Sequence, residues 1–148
     1  MILRWTGGAV IALSLLCGKP APAQSDAFGA RMADALAPAG DRASLLRFTA
    51  LFRAFRLYAG DDTEVGAIAA NREGDLAVIA AIIWQGAENT DMNGAIAAIV
   101  PLIDTATDLF VDRFIANDAT TGNIFDSGLD AELAYCGTLG DGLMEAFE

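Results

Sequence analysis

Leu76-Ala77-Val78-Ile79-Ala80-Ala81-Ile82-Ile83-Trp84 runs without a polar residue, and Ala95-Ile96-Ala97-Ala98-Ile99-Val100-Pro101-Leu102-Ile103 follows as a near twin. A helix made from either stretch is apolar on every side, and such helices belong inside a protein. Each run is well short of the ~20 apolar residues that cross a bilayer, so a soluble core is the expectation. Period-two alternation is scarce, which argues against strands. The pattern therefore predicts an all-α fold, an antiparallel bundle of four main helices plus a short N-terminal one, centred on these two runs.

Working outward, Ser25 or Asp26 caps a first helix to about Ala37, ended by Pro38-Ala39-Gly40. A second helix runs from Asp41 to about Tyr58, with Gly60 as its stop. Asp61-Asp62-Thr63-Glu64 has capping-box spacing and opens a third, which ends near Trp84 or Gln85. Gly86–Thr90 reads as a turn. The fourth helix spans about Asp91–Asn117, with a kink or restart at Pro101. A polar loop over Asp118–Gly128 leads to a last helix, capped by Ser127 and fraying through Gly137, Gly140 and Gly142.

The chain has 148 residues, 54% of them hydrophobic, enough for one domain with a core. Its net charge is −11, it has no histidine, and Lys19 is its one lysine. Such a chain repels phosphate backbones and anionic lipid, so neither nucleic acid nor a membrane is an expected partner.

Arg4 precedes an apolar run over Gly7–Leu16, and Ala21-Pro22-Ala23 has the small-x-small pattern of a signal-peptidase site. Residues 1–23 are thus expected to be a cleaved signal peptide, leaving a domain over 24–148 that begins at Gln24 in a periplasmic or secreted location. Cleavage removes Arg4 and Lys19 of the nine basic residues, so seven face twenty acidic ones and the charge becomes −13. It also removes Cys17, leaving Cys136 as a lone thiol.

Cys136 lies on the apolar stripe of the last helix with Leu129 and Leu133, and burial is its expected state. An intermolecular disulfide through this thiol is the lesser alternative. Leu45, Phe48, Phe52 and Phe55 form one face of the second helix, and Arg42, Arg53 and Arg56 lie beside it. Arginine stems at the rim of an aromatic core account for this pattern, and an interaction face is the functional alternative.

Asp104, Asp108 and Asp112 line one side of the fourth helix but have no second ligand set to complete a metal site. The Asx-rich Asn117–Asn123 does not keep calcium-loop spacing, and Gly137–Gly142 lacks the preceding strand of a phosphate-binding loop. Without histidine, Ser-His-Asp and Cys-His machinery and histidine-zinc sites are excluded. No catalytic, cofactor or metal set is identifiable. The expectation is an exported, non-enzymatic interaction or structural module, its partner another exported protein, cationic if charge governs the choice. A carrier of a small apolar ligand in the bundle core is the alternative, followed by a carboxylate- or thiol-dependent enzyme.

Overall fold

The computed structural model of the chain describes residues 22–147. Most of the predicted signal segment lies outside them, and the expected cleavage point before Gln24 falls in the first turn of α1 (Pro22–Leu36). After α1 come a 3-10 segment (Ala37–Arg42), α2 (Ala43–Ala59), α3 (Glu64–Glu88), α4 (Met92–Thr121) and α5 (Ser127–Phe147). The described residues are all-helical, with no strand.

The helix ends show which local signals prevail. Asp41 sits in the 3-10 segment and does not start α2, whose cap position is Arg42. Gly60, at φ 86°, ends α2 in a conformation that suits glycine. Thr63 caps α3, its hydroxyl accepting from the Gly66 N–H at 2.9 Å. The expected Asp61–Glu64 box is displaced because Asp61 instead accepts from Arg56.

Gly86 lies inside α3, which continues to a left-handed Asn89. Asp91 caps α4 by accepting from the Gly94 N–H. α4 passes through Pro101 without a restart and reaches Thr121. The proline removes one donor at an exposed position, while Ile99 and Ile103 on either side stay buried. The cap of α5 is Asp126, not Ser127: one carboxylate oxygen accepts from the N–H groups of Gly128 and Leu129. α5 then continues through Gly137, Gly140 and Gly142.

The centre of the fold is α2. It packs against α1, α3 and α4, and meets α5 through Arg47 and Phe48. Leu46, Ala50, Leu51 and Ala54 of α2 are fully buried, alongside Met32, Ile99, Ile103, Phe110, Phe114 and Leu129. Each large member contributes about 1.5–3 kcal/mol by leaving water. The buried hydroxyls of Thr49 and Thr107 are satisfied by donating to Leu45 and Ile103 carbonyls one turn back.

The two apolar runs are therefore not the enclosed centre that the sequence implies. Within them Leu76, Ala80, Ala81, Trp84, Ala95, Ile99 and Ile103 are buried, but Val78, Ile82, Ile96 and Val100 are exposed. α3 and α4 pack against α2 and against each other, and these four side chains point away from those contacts. Ile96 belongs to that outer side although Ile99, one turn on, is buried.

Candidate interaction surface

Three polar clusters hold the helices in place before any surface is left for a partner. In the first, Arg53 and Arg56, one turn apart on α2, grip a single carboxylate on α3. The Nε of Arg53 donates to Glu73 Oε1 at 2.6 Å, and the Nε of Arg56 donates to Oε2 at 2.8 Å. Arg53 also reaches Asp104 of α4, and Arg56 reaches Asp61 at 3.1 Å. Glu73 is buried among Ala69, Leu76 and Ala80. Burial alone would raise its pKa, but the hydrogen bonds and charges of Arg56 and Arg53 outweigh that and hold it below the usual carboxylate range.

Arg42 stands apart from that pair. It donates to Glu88 at 2.7 Å and to the Ala39 carbonyl, with its guanidinium 4.2 Å above the Trp84 ring. The structure thus brings Arg53 and Arg56 together, places Arg42 at another corner, and engages all three with the chain's own carboxylates.

The third cluster is built on Asp126, in the stretch read as a polar loop. Arg113 donates to both of its oxygens, at 2.6 and 3.0 Å, and Asn117 donates at 2.7 Å while also reaching the Ile124 carbonyl. Since the same carboxylate caps α5, one side chain links α4, the loop and α5. Burial opposes its ionisation, but Arg113, the Leu129 N–H and Asn117 together pull the pKa down. Arg113 also lies 4.4 Å from the Phe28 ring, and Arg47 grips Glu132 of α5.

Sequence reasoning missed Glu73 and Asp126. For Glu73 a signal was present: a lone acid in the inward row Ala69-Glu73-Leu76-Ala80, opposite two arginines one turn apart.

Cys136 is buried, and its thiol is free among the described residues. Burial, with help from the Glu132 charge and against the pull of Arg72, pushes its thiol up to about 11. It is a neutral thiol at neutral pH. In the aspartate ladder, Asp104 is taken by Arg53 and Asp112 lies 3.9 Å from Arg31, while Asp108 is exposed. Among the described residues no group of three His, Cys, Asp or Glu is placed to hold a metal ion.

What remains open is apolar. On α3, Val78 and Ile82 are 59% and 44% exposed; on α4, Met92, Ile96 and Val100 follow at four-residue steps with 38%, 43% and 37% exposure. Rows of exposed aliphatic side chains on neighbouring helices mark interaction sites more often than isolated ones do. Among the described helices, α4 alone is long and apolar enough, by length and composition, to cross a membrane. No known family, curated protein or solved structure matches the chain.

Proposed function

We propose that this chain is an exported helical module whose role is to bind another protein, with no catalytic activity of its own. The observation that carries this reading is the pair of exposed apolar rows on α3 and α4. They coexist with arginine clusters that are spent on internal carboxylates. The helices are read as an antiparallel bundle, because a connection as short as Asn89–Asp91 leaves α4 no room except beside α3. Export rests on the signal-like first residues.

The test is mild cross-linking of the exported fraction, followed by native mass spectrometry without reductant. The reading expects a chain that begins at Gln24 in a stoichiometric complex with a second polypeptide. A small-molecule adduct on a lone chain would instead support the carrier reading. A substrate turned over, and lost on one carboxylate-to-amide change, would establish an enzyme.

A further inference from the structure

The charge around the exposed rows identifies the kind of partner they suit. Between Arg72 and Arg113 the chain has no lysine or arginine, so the charges on the stretch that carries Val78, Ile82, Ile96 and Val100 are all negative. On α3, Ile68, Asp75 and Ile82 are spaced by sevens and fall on one exposed face with Val78. On α4, Asp104 and Asp108 follow Met92, Ile96 and Val100 at four-residue steps, each turning about 40° around the helix, so the two acids stand at the edge of the apolar row. Glu88 and Asp91 flank the connection between the two helices. Asp104 and Glu88 already serve Arg53 and Arg42, but Asp75 and Asp108 have no ion pair among the described residues. Arg72, the base nearest this face, sits beside the α3 row and not within it.

We infer that this face seats a cationic amphipathic helix of the partner protein, resting on the interaction role proposed above. The partner's apolar stripe lies on Val78, Ile82, Ile96 and Val100, and its Lys or Arg side chains meet Asp75 and Asp108. Helix-in-groove recognition has this form: apolar anchors give affinity and flanking charge selects the partner. A second copy of the chain would set these carboxylates against one another. An anionic lipid surface would meet the same repulsion, and a neutral one would strip water from the acids without a counter-charge.

The test titrates the full chain with three synthetic helical peptides, one Leu/Lys, one Leu/Glu and one Ala/Lys, reading affinity and backbone amide shifts. The Leu/Lys peptide is expected to bind and to shift amides concentrated between Asp75 and Asp108. The Leu/Glu and Ala/Lys peptides should each bind at least about tenfold more weakly, since one lacks the charge and the other the apolar stripe. Combining Ile82→Ser with Ile96→Ser should cost the Leu/Lys peptide about tenfold or more, with the helical spectrum unchanged. Asp75→Asn with Asp108→Asn should weaken binding and flatten its salt dependence.

Equal binding of the Leu/Lys and Leu/Glu peptides, or shifts centred elsewhere, would overturn the assignment. So would self-association abolished by the serine pair, or adsorption to phosphatidylcholine vesicles through the same residues. A cross-linked partner seated on another face would overturn this inference while leaving the interaction role standing.

Discussion

α2 carries Arg47, Arg53 and Arg56 and lies at the middle of the fold; α3 and α4 carry the longest apolar runs and each leaves a side bare. The contrast shows that apolar content does not fix a helix's place. A helix is central when elements pack around it, and α2 has α1, α3, α4 and α5 as neighbours. Its arginines are tolerated there because they keep part of their surface in water while their heads meet Glu73 and Glu132. α3 and α4 are apolar beyond what their inner sides can bury, and the surplus faces outward.

The largest expected effect separates the two regions directly. Leu51→Ala, in the middle of α2 and fully buried, should destabilise the chain by about 2–5 kcal/mol in urea unfolding. An equal cost at Val78→Ala would dissolve the distinction.

Glu73→Gln comes next, at about 2 kcal/mol. It leaves Arg53 and Arg56 without their shared carboxylate, and both side chains keep enough exposure (21% and 26%) for water to soften the loss. A cost no larger than that of a surface exchange would show that the arginines find water as good a partner.

Acid provides a graded version of the same experiment. Glu73 and Asp126 both have folded pKa values below their unfolded ones, so their contribution is complete above the ordinary carboxylate range of ~4. It is lost as pH falls through the lowered values. Stability should therefore be flat near neutrality and drop on acidification, with a shallower drop in Glu73→Gln and Asp126→Asn. Identical acid slopes in all three proteins would remove these clusters from the account.

Cys136 should react with a thiol reagent at pH 8 much more slowly than a free thiol, and reach full rate in denaturant. Smallest of all, Val78→Ser and Ile82→Ser should each shift stability by no more than about 0.5 kcal/mol.

Much of the fold was legible in the sequence, and the misreadings have physical causes. The all-helical class and the row Leu45, Phe48, Phe52, Phe55, whose Phe52 is half-buried and whose other members are buried, follow from periodicity alone. Several helix ends were misplaced by a few residues because neighbouring Asp, Ser, Thr and Asn side chains compete for the same cap. Thr63 prevails over Asp61 once Asp61 is drawn to Arg56, and Asp126 over Ser127 once Arg113 and Asn117 hold it in place. Pro101 does not restart α4, and α5 runs on through the glycines at which fraying is expected.

The centre itself was misplaced for a deeper reason. An all-apolar run has no polar face to say which side points out, so periodicity is silent on the question that decides the surface. The exposed rows are fixed by the packing of α2 against one side of both helices.

The most direct test of this arrangement is cysteine accessibility in a Cys136→Ser background. Single variants Val78→Cys, Ile82→Cys, Ile96→Cys and Leu51→Cys would be alkylated in the native, monomeric chain. The account predicts that the first three label at nearly the rate of an unfolded thiol, while Leu51→Cys labels only as fast as the protein unfolds. Protection of positions 78, 82 and 96 equal to that of position 51 would place the apolar runs inside after all and contradict the account.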